Sequence, residues 1–303
     1  MTEPAQVASI NSAEAPIPTS DEKILQKPCN CVGIRSCALC ADPGLREALG
    51  LHQTRGLPPD VDVGDVEISP TGELLARFPD GRVIALDKLE VPLSGFEVYP
   101  DIVKDQEEER SLLESIEAWP WQPSQSGRWK QDFGPRANFK KQLVKVPEHF
   151  QGFPSYAFDL LQRACDRSET LRGFEAVECL LLKYEEERGA NHDFHVDDTW
   201  LWGERIVGIT LGSSSVFTFY EPKSKVAVRV PLPQRSGYLI SGRARYDWQH
   251  GILCDDIREV RIAITYRELT EELAETDLGK LALERAKHVV AEPPKEEQQQ
   301  QQH

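Results

Sequence analysis

The sequence predicts a mainly β protein with flanking helices, folded as a sandwich, a barrel or a jelly roll. Short apolar and β-branched runs follow one another in the second half of the chain, at 177–184, 206–220, 226–230, 237–241 and 260–266. Gly, Ser, Pro and Asp separate these runs without an intervening helical pattern, which is typical of all-β architectures. Neither common type of Gly-rich phosphate loop occurs, which argues against a nucleotide-binding α/β sheet.

Three more elements are predicted outside this β region. Strand-like runs at 73–78 and 82–86 surround an Asp-Gly pair, which is a strong hairpin signal. Apolar residues gather on one side of the segment 103–118 and acidic residues on the other, so a helix is predicted there. A final helix is predicted over 268–290.

Composition and charge limit the functions open to the chain. Of its 303 residues, 40% are hydrophobic, which is enough to build a core. Its 35 basic and 50 acidic residues give a net charge of −15, which argues against avid non-specific binding to nucleic acid. No run of about 18 uncharged apolar residues occurs, so we expect no membrane partner.

The sharpest local motif is a His-x-Asp pair formed by His195 and Asp197. In a strand, residues i and i+2 face the same side, so both side chains could grip one metal ion. His250 follows 53 residues later and supplies a candidate third ligand. Two histidines and one carboxylate on one face form the facial triad of mononuclear Fe(II) oxygenases. Taken singly, such a pair is also common on polar loops, and a lone histidine is more often structural.

A pair of arginines, Arg261 and Arg267, lies on the next predicted strand. Their even spacing puts both on one face, with the small residues Ala263 and Thr265 between them. A 2-oxo acid and dioxygen would fill the three open positions of a facial triad, and a dicarboxylate would also need a cationic partner. Guanidinium binds carboxylate in a bidentate manner, and a buried arginine needs an anion. Alone, such a pair is also consistent with a solvated face.

The order of these motifs resembles that of the AlkB family of Fe(II)- and 2-oxoglutarate-dependent dioxygenases. The resemblance extends to the subfamily of the fourth animal homologue, over roughly residues 25–285. It is carried by the segments Gln131-Asp132-Phe133-Gly134-Pro135, Asn138-Phe139-Lys140-Lys141-Gln142, Asp197-Asp198-Thr199-Trp200-Leu201-Trp202-Gly203-Glu204-Arg205, Tyr266-Arg267-Glu268-Leu269 and the cysteine-rich run 29–40. The Trp-Leu-Trp-Gly-Glu-Arg run is the most specific of these.

This resemblance implies a double-stranded β-helix (jelly roll) and an oxidative N-demethylase that uses Fe(II), 2-oxoglutarate and O2. By resemblance, His195, Asp197 and His250 are the catalytic iron ligands. The reaction would convert 2-oxoglutarate to succinate and carbon dioxide, and would release the methyl group as formaldehyde.

The cosubstrate contacts are also assigned by resemblance. Arg261 would bind the distal carboxylate of 2-oxoglutarate, and Arg267 would act near its metal end. The family uses an Asn-x-Tyr strand for the cosubstrate, and the matching stretch here is Leu182-Lys183-Tyr184. Tyr184 therefore carries over, whereas the family's Asn is replaced by Leu182.

Two features of the sequence favour different substrates. Acidic and aromatic residues surround the triad, and a methylammonium group favours such surroundings; they are Glu185, Glu186, Glu187, Asp193, Asp198, Tyr184, Phe194, Trp200 and Trp202. The segment 128–145 is instead basic, with interleaved aromatic residues that could stack on bases or belong to a solvated strand pair.

The resemblance implies monomethyl-lysine in a protein such as actin, with a role in actomyosin regulation and cytokinesis. We rank this methylated protein substrate first and N6-methyladenine in DNA second. A different class of function, a catalytically weak scaffold that binds partners, is the further alternative.

With this resemblance, the chain is expected to contain five segments. They are a disordered N-terminus (1–24), a cysteine-rich metal-binding module (25–56), a hairpin and linker (57–90), an AlkB-like dioxygenase domain (91–275), and a helix end with a Gln-rich disordered tail (276–303).

Four of the seven cysteines lie within twelve residues, at Cys29, Cys31, Cys37 and Cys40. The first 22 residues lack the features of a secretory signal, so we expect a reducing compartment, the cytoplasm and nucleus, and no disulfide framework. Clustered thiolates suit a zinc ion, and an iron–sulfur cluster remains open. A redox pair of Cys37 and Cys40, or four free thiols, are the alternatives.

The cysteine cluster is expected to bind about one metal ion in addition to the catalytic iron. Elemental analysis of a variant with all four cysteines changed to Ser should find one ion fewer per chain than in the parent. Equal metal content in the two proteins would show that no metal binds there.

Overall fold

The computed structural model describes residues 57–58, 60–69, 73–139 and 141–290. Two seven-stranded sheets form the body of the described chain. In spatial order, sheet I contains β11 (His192–His195), β16 (Gln249–Ile252), β13 (Ser215–Glu221), β14 (Val226–Leu232), β1 (Asp62–Ile68), β2 (Leu74–Arg77) and β3 (Val83–Ala85). Sheet II contains β4 (Phe96–Tyr99), β15 (Gly237–Ile240), β12 (Trp202–Leu211), β17 (Val260–Leu269), β10 (Glu178–Glu185), β6 (Trp129–Phe133) and β5 (Gln122–Pro123).

Two small ladders, five α-helices and four short 3-10 helices complete the described elements. The ladders join β7 (Arg136–Asn138) to β8 (Leu143–Lys145), and β9 (Phe153–Pro154) to β18 (Val289–Val290). The helices are α1 (Gln106–Glu117), α2 (Ser155–Cys165), α3 (Gly242–Tyr246), α4 (Glu271–Ala274) and α5 (Asp277–Ala286). No helix in these described ranges is long and apolar enough to cross a membrane.

The inner core lies between the two sheets. Phe217 and Phe219 of sheet I meet Phe96 and Tyr238 of sheet II, with ring centroids 4.8 to 5.9 Å apart. The outer face of sheet II packs against α1 and α2 through buried side chains such as Leu181. The prediction of a mainly β protein with flanking helices is confirmed, and the two facing sheets are consistent with a jelly roll.

Strand β17 separates these two cores. Ala263 belongs to the inner core, whereas Ile262, Ile264 and Tyr266 belong to the outer one. This alternation follows from the two-residue period of a strand. It puts the side chains predicted to bind the cosubstrate on the face that looks toward sheet I.

Several predicted elements are confirmed by the structure, with shifted bounds. β2 and β3 pair in antiparallel fashion around the Asp-Gly turn, and β1 pairs with β14, so the hairpin forms part of sheet I. α1 begins after Asp105, whose side chain accepts a hydrogen bond from the Glu108 amide. The single run 206–220 is instead two strands, because Gly212 adopts a positive φ of 82° between them.

The predicted helix over 268–290 is wrong. Strand β17 continues to Leu269, and the helical residues that follow divide into α4 and α5. Thr270 and Thr276 each cap one of these helices, because their side chains accept hydrogen bonds from the Leu273 and Gly279 amides. Helix α2 was not predicted, although its buried residues follow a helical spacing. The predicted segments 1–24 and 25–56 and the Gln-rich tail lie outside the described residues.

Gly208 on β12 lies directly beneath the ring of Tyr238, its register partner on β15. A Cβ at this position would lie 1.9 Å from the ring carbon Cζ. We therefore expect Gly208→Ala to lower the free energy of unfolding by about 1–3 kcal/mol, as overpacking typically does. Urea unfolding in a double-mutant cycle with Tyr238→Ala tests the cause, since the cost should shrink when the ring is absent. An equal cost in both backgrounds would contradict it.

Candidate metal and cosubstrate centre

The three predicted metal ligands come together in the structure. His195 ends β11 and lies opposite His250 of β16 in the antiparallel register. Asp197 lies two residues beyond the end of β11, so the expectation that both motif residues occupy one strand is wrong. One ligand atom from each of the three side chains lies within 4.8 Å of the others. The loop after β11, and not the strand itself, thus brings the Asp197 carboxylate beside the two histidines.

The distances suit a single metal ion. His250 Nε2 lies 3.2 Å from Asp197 Oδ2, and the rings of His195 and His250 are 4.4 Å apart between centroids. Neighbouring ligands of one ion, with bonds of about 2.1 Å at right angles, are separated by about 3 Å. The donor set therefore fits the facial triad predicted for Fe(II).

The hydrogen bonds leave the correct nitrogen of His195 available. Its Nδ1 lies 2.8 Å from the backbone oxygen of Asp193, a geometry in which Nδ1 carries the proton and donates it. Nε2 then keeps its lone pair for a metal ion. A backbone carbonyl that orients a metal-binding histidine is a common supporting contact.

A buried arginine keeps the carboxylate ligand ionised. Burial by itself raises the pKa of Asp197, but Arg267, His250 and His195 together hold this pKa well below its usual range. Arg267 Nη2 lies 2.8 Å from Asp197 Oδ1, and its Nε lies 3.0 Å away. Arg245, which is fully buried, donates from Nη1 to the backbone oxygen of Asp197 at 2.7 Å. These contacts fix both the charge and the position of the ligand loop.

Arg267 is shared between two carboxylates. Its Nη1 donates to Glu178 Oε2 at 2.5 Å, and Trp202 stacks on its guanidinium at 5.6 Å. Burial nevertheless raises the pKa of Glu178 to about 7, because it outweighs the attraction of Arg267. Arg267 thus lies beside the candidate metal ligand Asp197, where the metal end of 2-oxoglutarate is expected. Its own direct contacts are to Asp197 and Glu178.

Arg261 is fully buried and lacks an ionic partner among the described residues. Its Nη2 donates to Thr210 Oγ1 at 3.3 Å, whereas Nε and Nη1 have no hydrogen-bond partner in the described part of the chain. Its guanidinium stacks on the ring of Tyr184 at 5.1 Å. A buried cation with free donors needs an anion, so this site fits the distal carboxylate of 2-oxoglutarate.

An inner cavity joins Arg261 to the metal ligands. Arg261, Tyr184, Leu182, His195 and Asp197 all line it. Its wall also contains Tyr238, Ala263, Thr265 and Arg267. Leu182 occupies the position of the family's Asn and offers the cosubstrate no hydrogen bond.

Two of the three ligands, His195 and Asp197, also border an outer groove of about 630 Å3. Leu182, His192, His195, Asp197 and Arg267 line both the cavity and the groove. His195 and Asp197 therefore lie at the junction between the inner cavity, which Arg261 and His250 also line, and an open groove that suits a larger substrate.

The expected acidic and aromatic rim is largely absent from this groove. Tyr184 is buried in the inner cavity and Phe194 packs against Tyr220, whereas Trp202, although buried, lines the groove. Glu185 accepts a hydrogen bond from Trp129, and Glu186 accepts one from the backbone of Glu259. Of the five rim carboxylates, Asp198 lines the groove.

Charges along the groove are balanced. Four cationic and four anionic side chains line it in the described structure: Arg128, Lys130, Arg136, Arg267, Asp132, Glu178, Asp197 and Asp198. Within the basic segment, Lys130 is paired with Asp132, and Arg128 is buried. Phe139 is 53% exposed and packs edge-on against Trp200.

Sequence reasoning missed four residues of the site. Glu178 stands out only as an acid at the start of an apolar run, which is a weak signal. Thr210, Tyr238 and Arg245 carry no local signal, because their roles depend on contacts between distant segments. The cysteines Cys29, Cys31, Cys37 and Cys40 lie outside the described residues.

Comparison with known proteins agrees with this geometry. The profile of the family described as the 2OG-Fe(II) oxygenase superfamily matches residues 95–267. The chain belongs to this superfamily. The oxygenase is 33% identical to the human alpha-ketoglutarate-dependent dioxygenase alkB homolog 4 over 81% of this chain and 87% of that protein. It is 31% identical to the Caenorhabditis elegans DNA N6-methyl adenine demethylase over 82% of this chain and 89% of that protein.

The predicted membership of the AlkB family is thereby confirmed, and with it a 2-oxoglutarate-dependent enzyme. Membership implies Fe(II) and 2-oxoglutarate, which together supply the oxidising chemistry when they are bound. The residues present fit both groups, since the triad offers three ligands and Arg261 offers two unpaired donors. The individual roles of Tyr184, Arg261 and Arg267 remain predictions.

Replacing any one ligand, as in His195→Ala, Asp197→Ala or His250→Ala, is expected to abolish iron-dependent succinate formation, because two ligands no longer hold the ion in place. Each variant should keep the parent's circular dichroism spectrum. His288→Ala is the matched control, since His288 is exposed and lies outside the triad. Full activity in all three variants would refute the assignment.

Arg261→Ala should greatly raise the concentration of 2-oxoglutarate required for half-maximal activity. Truncating one partner of a buried, charged hydrogen-bonded pair typically costs about 2–5 kcal/mol. Arg261→Lys should also be impaired, because an ammonium group cannot replace the planar guanidinium. Arg229→Lys on sheet I serves as the control. Unchanged cosubstrate affinity in Arg261→Ala would exclude this role.

Proposed function

We propose that this oxygenase is an oxidative N-demethylase whose substrate is monomethyl-lysine in a protein such as actin. The observation that carries the proposal is a corner of the groove formed by Asp198, Trp200 and Phe139. Asp198 and Phe139 line the groove, and Trp200 contacts both of them. Aromatic faces next to a carboxylate attract a methylammonium group.

The position of this corner suits the reaction. Asp198 directly follows the ligand Asp197 in the chain, so a cation held at the corner lies close to the triad. Trp200 donates from Nε1 to Asp198 Oδ1 at 3.2 Å, which orients both groups. The N-methyl group, one bond beyond the nitrogen held at the corner, would then point toward the metal ligands, while the lysine stem extends back along the groove.

The balance of the reaction follows from the proposed cosubstrates. One molecule each of 2-oxoglutarate, dioxygen and methylated amine gives succinate, carbon dioxide, formaldehyde and the free amine. Arg261 would orient the cosubstrate from inside the cavity, and the apolar wall around Tyr238 and Ala263 would exclude water there. The groove-side residues would bind and orient the amine.

N6-methyladenine in DNA is the second candidate. Arg136 is exposed and lines the groove, and the exposed Lys141 and Lys145 follow it in the basic segment. Phe139 and Trp200 could stack on an exposed base as readily as they could enclose a cation. The name of the Caenorhabditis elegans relative adds support for this alternative.

The cellular role is proposed on similarity to the alkB homolog 4 proteins. It comprises demethylation of actin, regulation of actomyosin and cytokinesis, and residence in the cytoplasm and nucleus. A zinc ion at the cysteine cluster belongs to the same proposal. If the protein is instead a catalytically weak scaffold, no methylated substrate should stimulate succinate formation.

A competition experiment separates the two substrates. Equal amounts of a monomethyl-lysine actin peptide and an N6-methyladenine oligonucleotide are incubated with the enzyme at physiological salt, and both products are measured by mass spectrometry. We expect the peptide to be demethylated preferentially, because Asp198 attracts its cation and repels phosphate. Preferential demethylation of the oligonucleotide would reverse the ranking.

Two variants make this comparison sharper. Asp198→Asn keeps a side-chain oxygen that can accept the hydrogen bond from Trp200, but it removes the negative charge. The KM for the peptide should therefore rise about fivefold, which corresponds to a loss of about 1 kcal/mol of binding free energy. Arg136→Gln should weaken only DNA binding and reduce its dependence on salt. If Asp198→Asn leaves the peptide's KM unchanged, the corner does not bind the methylammonium group.

A further inference from the structure

The metal ligand His195 lies against a second histidine of the same strand, His192. Their rings are stacked, with centroids 4.2 Å apart and planes inclined by 26°. His192 is half-buried and lines both the groove and the inner cavity. The three clustered ligand atoms come from other residues, so His192 is not part of the triad. None of the roles assigned above uses this side chain.

The stack depends on an irregularity of β11. In a regular strand, residues three positions apart face opposite sides, so His192 and His195 would point away from each other. The pairing of β11 with β16 instead shifts its register between these two residues, as at a β-bulge. Such irregularities are frequent beside active sites, where they re-aim a side chain. Here the two rings come to lie on the same side of the strand.

The second candidate histidine ligand has a comparable support. The ring of Phe217 stacks on that of His250, with centroids 5.3 Å apart and planes inclined by 19°. Each of the two ligand rings is therefore backed by one nearly parallel ring. The plane of an imidazole decides where its metal-binding nitrogen points, so contacts that hold the plane also hold the ligand geometry. Phe217 belongs to the inner core, whereas His192 borders the site itself.

A second contact holds the His192 ring from the cavity side. Its Nδ1 lies 3.5 Å from the hydroxyl oxygen of Tyr184, which is the distance of a long hydrogen bond. The ring of Tyr184 in turn stacks on the guanidinium of Arg261, at the expected cosubstrate end of the cavity. A continuous series of contacts thus runs from the anion-binding arginine to the metal ligand. His192 is the member of this series that contacts His195.

We propose that His192 is a positioning residue for the metal ligand His195, and that it acts through its stacked ring and not as a ligand. The ring would hold the His195 imidazole in the plane that the metal ion requires. This role needs an aromatic ring at position 192 but not an imidazole, which distinguishes it from a role as a ligand or a proton carrier. The inference rests on the assignment of His195 as a ligand, but it holds for any methylated substrate.

Metal binding by the full-length protein tests this role without requiring turnover. The probe is Mn(II), which soft thiolate ligands do not select, and the free ion is measured by electron paramagnetic resonance. His192→Ala should weaken Mn(II) binding about tenfold, as is typical when a metal ligand loses a supporting contact. His192→Phe should bind Mn(II) nearly as the parent does, because it keeps a stacked ring. His192→Asn, which is polar but has no ring, should resemble His192→Ala.

Tyr220→Ala is the matched control. The ring of Tyr220 packs against Phe194 of β11, with centroids 5.7 Å apart, and it lines neither the cavity nor the groove. Its loss therefore loosens the same strand without removing the stack on His195, and Mn(II) binding should stay at the parent's level. Equal weakening in Tyr220→Ala and His192→Ala would show a general effect on the strand and would overturn the positioning role.

Two further results would overturn the role of His192. One is unchanged Mn(II) binding in His192→Ala, and the other is a loss in His192→Phe as large as that in His192→Ala, which would show that the imidazole itself is needed. Asp197→Ala separates this inference from the assignment of the metal centre, because it should abolish Mn(II) binding there. Full binding in Asp197→Ala would refute the centre, and the positioning role with it. Binding lost in Asp197→Ala but kept in His192→Ala would reject the positioning role alone.

Discussion

The ion pair between Asp197 and Arg267 is the contact on which the centre depends. Asp197 belongs to the loop after β11 of sheet I, and Arg267 belongs to β17 of sheet II, so the pair joins the two sheets at the site. Two buried charges remain stable only if each is compensated. Glu178, His250 and the backbone contact of Arg245 supply that compensation, and they hold the ligand loop in one position.

The two arginines of β17 show how one strand face can serve two purposes. They occupy the same face, six residues apart, and both are buried. Arg267 already has two carboxylate partners, so it stabilises the protein's own charges. Arg261 has none in the described chain, so its charge is available for a ligand. The difference arises from neighbouring strands, since identical side chains at equivalent positions meet different partners.

The residues that line the outer groove differ from the acidic rim expected from the sequence, and this difference alters how a cationic substrate would be selected. Sequence proximity places five carboxylates near the first ligand strand, but hydrogen bonds to Trp129, Asn191 and the backbone of Glu259 occupy three of them. Of these five carboxylates, Asp198 remains at the groove, in a corner with the rings of Trp200 and Phe139. Selectivity for a cation therefore depends on a few close contacts and not on a broad negative field, whose effect would also be screened by salt.

The sequence by itself determined the chemistry of the centre. The His-x-Asp motif, the late histidine and the arginine spacing predicted the candidate ligands and the candidate anion-binding face, because donor type and strand period are local properties. The tertiary structure decided which charges remain available, since burial and pairing depend on segments far apart in the chain. It also decided that Asp197 lies in a loop and that Glu178 shares Arg267. These outcomes follow from long-range packing and competing hydrogen bonds, which no local pattern encodes.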